Sequence, residues 1–301
     1  MELRHIRLLC LILEHGSVSA AAKAAGLGQP TVSQHLRSLE EELGLLLFER
    51  RGRRIVPTEA ALVFHPYAKQ AIQILETGRQ ALEEHLGLVR GKLRLAGSTI
   101  PAHYILPAVI ASFHDKYPGV EMRLQVGDTK WVVERVKGAD VEIGFVGAEL
   151  DQDGLSFEPF AQDELILVVP PDHQLAGHTL SLEELKKLPL VSREPGSGTR
   201  KSWEEHLRRA KVALEDLRVV AELGSTEAVL RAVKAGMGVA VVSIWAAKDE
   251  VMRGELQTVQ LDLGTMSRTF FLVRHKSRPL SPSAQKFVEL AMEGAPLGKP
   301  P

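Results

Sequence analysis

A small helical domain ending in a basic hairpin, followed by a larger α/β body, is the architecture this sequence predicts. Three stretches of the 301-residue chain carry the prediction. Residues 17–54 hold two short helical patterns and then an arginine-rich turn. Residues 59–88 keep apolar side chains at helical spacing over a length beyond that of a typical globular helix. From residue 92 onward, short apolar runs alternate with helical patterns, which argues for an α/β sandwich with a largely parallel sheet.

The elements follow in order. Leu3, Ile6, Leu9, Cys10 and Leu13 mark the core face of a first helix, which Gly16 breaks. Ser19 is the expected N-cap of an alanine-rich helix over residues 20–25, and Gly26 stops it. Pro30 suits the first turn of the next helix, where a missing N–H is harmless. That helix places Val32, Leu36, Leu39 and Leu43 on one face and ends at Gly44. Gln29 and Pro30 at its start, with Thr31, Ser33, Gln34 and Arg37 on its other face, suit base edges and phosphates. Residues 45–48 read as a short strand, and Arg50, Arg51, Arg53 and Arg54 flank Gly52 at a hairpin tip. Guanidinium groups on a turn beside such a helix fit a phosphate backbone or a minor groove. This is the layout of a winged helix-turn-helix, an all-α-type module for double-stranded operator DNA.

Bulk properties narrow the function classes. The formal net charge is −1, so any nucleic-acid contact must come from a local patch, and the arginine turn is the densest one. A single cysteine rules out an intrachain disulfide and a multi-thiolate zinc cluster. The apolar start is too short and too charged to span a membrane and has no convincing signal-peptide cleavage site, so a cytoplasmic protein is expected. The eleven histidines show no HExxH pairing, and Gly196-Ser197-Gly198 is not a nucleophile elbow. The expectation is no enzyme, no catalytic residue, no metal and no cofactor.

Thr58 is the expected N-cap of the long helix, and Pro66 should kink it or displace its start. One seam runs through Ala68, Ile72, Leu75, Leu82 and Leu86, and a second through Phe64, Tyr67, Ala71, Ile74 and Ala81. Two seams on one helix call for a partner helix, and a homodimer reading a dyad-symmetric operator supplies it.

Strands are expected at residues 92–96, 120–126, 140–146, 165–169, 188–191, 218–222, 239–243 and 268–273. Helices are expected up to about residue 117, from about 128, and at 203–210, 226–235 and 283–292, with a disordered tail. A strand, then small hydroxyl residues, then a helix recurs at Ser98-Thr99, Asp128-Thr129, Ser197-Gly198-Thr199-Arg200 and Ser225-Thr226. Free N–H groups, the helix dipole and a hydroxyl cap together make an anion site, and such sites gather at strand carboxyl ends. Asp128 would repel an anion unless it faces elsewhere or meets an amine.

Ala21-Ala22, Gln29-Pro30-Thr31-Val32-Ser33, Leu39-Glu40-Glu41-Glu42-Leu43-Gly44 and Leu47-Phe48-Glu49-Arg50 resemble the LysR-type transcriptional regulators. Gly28 departs from that pattern, which usually has Ser or Thr there. The resemblance implies a type 2 periplasmic-binding-protein-like effector domain of two subdomains, residues 92–162 with 269–292 and residues 163–268. It further implies a winged domain over residues 1–57 and a linker helix over 58–88. Its effector, an oxyanion or a carboxylate, would sit in the cleft against Ser98, Thr99, Ile100, Asp128, Thr129, Gly147, Ser197, Gly198, Thr199, Arg200, Ser225 and Thr226. A homotetramer and contact with RNA polymerase are also implied. The rival reading is a solute-binding or enzymatic α/β protein whose N-terminal region only contacts other proteins, and the arginine turn speaks against it.

Overall fold

The computed structural model of the chain describes residues 1–51, 54–86 and 88–293, without the side chains of residues 51 and 54. The chain divides into two compact units. The first is Met1–Arg90 with Gly138–Asp140 and Ser277–Ser283, and the second is Gly91–Lys137, Val141–Lys276 and Ala284–Pro301.

In the first unit, α1 (Leu3–His15), α2 (Val18–Ala25) and α3 (Gln29–Leu43) close on a core that includes Leu9, Ile12, Ala21, Val32 and Leu39. The N-cap of α2 is Ser17, whose Oγ accepts from the Ala20 N–H at 3.1 Å, so the helix starts before the expected Ser19. Ser19 instead donates to Gln29 Oε1 at 3.1 Å, tying α2 to the start of α3. Gly28 sits at the N-cap of α3 with no side-chain bond, and Pro30 lies in the first turn as expected.

Of the expected strand at residues 45–48, only Phe48 is in a strand. Glu40 Oε1 accepts from the N–H groups of Leu47 and Phe48 at 2.8 and 3.2 Å, and Thr58 Oγ1 donates to the Leu46 carbonyl at 2.8 Å. These backbone groups are held by α3 and by the next helix cap, so the ladder begins only at Phe48. Strands β1 (Phe48–Arg51) and β2 (Arg54–Pro57) pair antiparallel to make the wing. Gly52, Arg53 and the expected tail disorder from residue 294 on lie outside the described residues.

The long helix α4 (Glu59–His85) is capped by Thr58 and runs unbroken through Pro66, so its start is not displaced. The two expected seams divide differently. Ala61, Phe64, Ala68 and Ile72 pack on the domain's own core, while Tyr67, Ile74, Leu75, Leu82 and Leu86 are exposed.

The second unit opens with β3 (Gly91–Ser98) and a π-helical turn, Pro101–Ile105, that runs into α5 (Leu106–Lys116). Then come β4 (Val120–Gly127), α6 (Thr129–Lys137), β5 (Ile143–Val146) and the long β6 (Leu155–Val169). β7 (Thr179–Leu180), α7 (Leu182–Leu185), β8 (Leu190–Arg193), α8 (Gly198–Arg209) and β9 (Val219–Leu223) follow. The chain goes on through α9 (Thr226–Lys234), β10 (Ala240–Ser243), α10 (Ile244–Met252), β11 (Gln257–Leu261), β12 (Met266–His275) and α11 (Pro282–Glu293). Of these, β7, α7, α10 and β11 were not expected from the sequence. β6 begins at residue 155 rather than 165, because its first half pairs with the end of β12, from Leu155↔His275 inward.

The sheet is mixed, not largely parallel. β3 pairs parallel with β4 and β5, and β11 with β7, while β8 and β9 pair parallel in a separate two-stranded sheet. β6 pairs antiparallel with β10, β11 and β12, and β12 pairs antiparallel with β5. The antiparallel share comes from β6 and β12, long strands that pair with each other from Leu155↔His275 to Leu165↔Met266. In their ladder Asp163 on β6 lies opposite Arg268 on β12, and the two side chains form an ion pair at 2.7 Å. Among the described residues no helix is long and apolar enough to cross a membrane.

Candidate functional site

A cleft of about 350 Å³ opens in the second unit. Its wall is built from strand carboxyl ends: Ser98, Thr99 and Ile100 after β3, Asp128 and Thr129 after β4, Gly147 after β5, Ser197 to Thr199 after β8, and Gly224 and Ser225 after β9. Parallel strands feeding helices put those ends together, and the starts of α6, α8 and α9 come with them. Close approach needs glycine at Gly127, where a Cβ would lie 2.4 Å from the Trp131 ring. Gly196 turns the loop before α8 with φ +100°, a left-handed conformation that side chains disfavour.

Several cleft hydroxyls are helix caps. Ser197 Oγ accepts from the Arg200 N–H at 3.4 Å, and Ser225 Oγ accepts from the Ala228 N–H at 3.1 Å. A hydroxyl that accepts a cap bond keeps its proton and remains a donor. Asp128 is a cap too: Oδ1 accepts from the Trp131 N–H at 2.7 Å, which gives its charge a partner at the start of α6.

Two expected cleft residues do not line it. Arg200 is drawn away by Glu204 and Glu222, at 2.7 and 2.6 Å, and donates to the Arg193 carbonyl at 3.0 Å. The Glu204 bond foremost, against burial and with help from Glu222, raises its pKa. Thr226 is buried, and its Oγ1 accepts from Arg193 Nη1.

Arg193 and Arg268, which the sequence reading did not place in the site, line the cleft instead. Arg193 ends β8 and forks onto Glu194, with Nε and Nη2 at 2.7 and 2.8 Å from its two oxygens. Burial works against the Glu194 charge, but the Arg193 guanidinium prevails and holds the carboxyl below its ordinary pKa. Arg268 donates through Nε to Asp163 at 2.7 Å and through Nη2 to Thr199 Oγ1 at 3.2 Å, and its guanidinium lies 5.1 Å from the Phe270 ring centre. Asp163 is completely buried and also accepts from Ser243 Oγ at 2.6 Å. Burial pushes its carboxyl above the usual value, with Arg268 and Ser243 pulling the other way. The one available signal for both arginines was position, an arginine at the edge of an otherwise apolar strand.

In the first unit, Gln29, Pro30, Thr31, Gln34 and Arg37 are exposed on α3, with Ser33 half-buried, and Arg50 is exposed on β1. Gln29 is partly engaged by Ser19. Arg53 and the side chains of Arg51 and Arg54 lie outside the described residues.

The model of the bacterial regulatory helix-turn-helix proteins of the lysR family matches residues 3–62, and that of the LysR substrate binding domain matches residues 86–296. The RuBisCO operon transcriptional regulator of Allochromatium vinosum is 34% identical over 298 residues, covering 98% of this chain and 97% of its own. Among solved structures, the CcmR regulatory domain of Synechocystis PCC6803 in complex with 2-PG is 30% identical with a TM-score of 0.62, covering 68% of this chain and 97% of that one. A Corynebacterium glutamicum OxyR C206 mutant is 25% identical with a TM-score of 0.61, covering 97% of this chain and 91% of its own. With its helix-turn-helix and its two-subdomain α/β domain both matched, the chain belongs to the LysR family and is a DNA-binding transcriptional regulator with an effector-binding domain.

Proposed function

We propose that the regulator responds to a small anionic effector, a carboxylate or an oxyanion, held in the cleft of the second unit. The observation that carries this reading is the meeting of three helix starts, α6, α8 and α9, with hydroxyl caps, the buried Arg193 and the mostly buried Arg268 around one cavity. Ser98, Thr99, Ile100, Asp128, Thr129, Gly147, Ser197, Gly198, Thr199 and Ser225 form its lining, with Arg193 and Arg268 as the added cations. The related CcmR domain in complex with 2-PG supports a small ligand in this part of the family.

In the same reading, residues 92–162 with 269–292 and residues 163–268 are the two subdomains, and the crossing at Asp163 and Arg268 is their hinge. Residues 1–57 bind DNA and residues 58–88 link. Gln29, Pro30, Thr31, Ser33, Gln34 and Arg37 face the major groove, and Arg50, Arg51, Arg53 and Arg54 hold phosphates or the minor groove. Two chains pair through α4, two such pairs form the tetramer, and RNA polymerase is the further partner in the cytoplasm. Effector binding shifts subdomain closure and so the spacing of the paired DNA-binding domains.

A thermal-shift panel of sulfate, phosphate, carboxylates and amino acids on the full chain tests the effector class. A ligand that binds only the folded state raises the midpoint. Anions should do so, and a panel in which only neutral or cationic compounds shift the midpoint refutes the class. Duplexes selected from random sequence test the DNA face. The Arg50→Ala variant should bind them more weakly, with the salt slope reduced by about one per chain, and an unchanged slope removes Arg50 from the phosphate contacts.

A further inference from the structure

The cleft holds two arginines, yet each already carries a carboxylate of the protein's own. Arg193 lies on Glu194 and Arg268 on Asp163. An anion entering the cleft therefore meets ion pairs rather than bare cations. The two pairs differ in what their acidic partner can do.

Asp163 is 0% exposed and is held from a second side by Ser243 Oγ. Moving it would leave a buried carboxylate without a counter-charge, so that pair is permanent. Glu194 is different, because its side chain is 38% exposed while the Arg193 side chain beside it is only 5% exposed. Its backbone is fixed, since its N–H donates to the Leu223 carbonyl and its own carbonyl accepts from the Ser197 N–H, both at 3.2 Å. Releasing Arg193 thus needs only a side-chain rotation that returns the Glu194 carboxylate to water.

Arg193 cannot be left alone, because a buried guanidinium without a partner is strongly disfavoured. Its Nη1 stays on Thr226, and Nε with Nη2 form a two-pronged fork now filled by the two Glu194 oxygens. Only a group that offers two anionic oxygens at the same spacing replaces that partner in full. A carboxylate or a phosphate does so, whereas a neutral hydroxyl compound or an amine does not.

We infer that Glu194 is a built-in rival of the effector: it occupies the Arg193 fork in the free protein and is displaced by the effector's own carboxylate or phosphate group. The inference rests on the anionic-effector reading and adds to it the contact that selects the anion. Glu194 lowers the apparent affinity and sets a concentration threshold, and it rejects ligands that cannot match its charge and fork geometry.

Calorimetric titration of inorganic phosphate and of sulfate into the full-length wild type and the Glu194→Gln variant tests this. The variant, whose amide is a poorer rival, should bind phosphate about tenfold more tightly, and sulfate in the same direction. Equal or weaker binding by the variant, with binding by the wild type intact, overturns the rivalry while leaving the anionic reading standing. Absence of binding to both proteins overturns both. Should the variant fail to fold, the structure of the wild type saturated with phosphate decides: Glu194 swung away and phosphate on Arg193 supports the displacement, and Glu194 still on the guanidinium refutes it.

Discussion

Arg268 shows how much one side chain can hold. Its guanidinium joins β12 to β6 through the buried Asp163 and reaches the start of α8 through Thr199 in the cleft lining. Replacing it by methionine keeps much of the volume but strands a fully buried carboxylate. The Arg268→Met variant should lose about 3–5 kcal/mol in urea denaturation, and the Asp163→Leu/Arg268→Met double variant should recover much of that loss. The pH dependence follows from the direction in which burial pushes Asp163. Without Arg268 its carboxyl is held protonated in the folded chain while the unfolded chain ionises, so the unfolded state binds fewer protons and stability falls as pH rises. The deficit of the single variant should therefore be larger at about pH 8 than at about pH 5. An equal deficit at both would mean that Asp163 does not carry it.

At the scale of the element, α2 gives a sharp comparison because two serines stand near its start. Ser17 accepts the cap bond from Ala20, and Ser19 sits two residues too late and makes an exposed bond to Gln29. Ser17→Ala should cost about 1 kcal/mol in thermal denaturation, while Ser19→Ala should stay within about 0.5 kcal/mol of the wild type. The reverse order would place the cap where the sequence pattern first suggests it. The same helix-turn-helix shows why the pattern misleads at residues 45–47. Four apolar residues in a row read as a strand, but Glu40 and Thr58 claim the backbone groups that a ladder would need. Such claims come from outside the apolar run and leave no mark on its own periodicity.

At the scale of the whole molecule, α4 presents a stripe that its own domain does not cover. Leu82 and Leu86 are 70% and 74% exposed, and Tyr67, Ile74 and Leu75 continue the stripe. In the proposed assembly a second chain buries these side chains. The Leu82→Glu/Leu86→Glu variant should therefore sediment as a smaller species than the wild type, with the winged domain still folded, because neither leucine belongs to that domain's core. Unchanged sedimentation would move the pairing surface away from this end of the helix.

Local signals carried much of this protein. The stop glycines of the first helices, the proline in the first turn of α3, the Thr58 cap of α4, the alternation of strands and helices and the hydroxyl loops after strands all act over a few residues, so they are legible in order along the chain. Together with the family resemblance they gave ten of the residues that line the cleft by number. Tertiary structure decided what depends on pairs far apart in sequence. It made the sheet mixed by lengthening β6 and β12, and it turned half of the α4 seam inward. It also took Arg200 out of the cleft and put Arg193 and Arg268 into it. The physical reason is the same in each case. A charge or a backbone donor goes to whichever partner the fold brings within about 3 Å, and the chain alone does not say which partner that is.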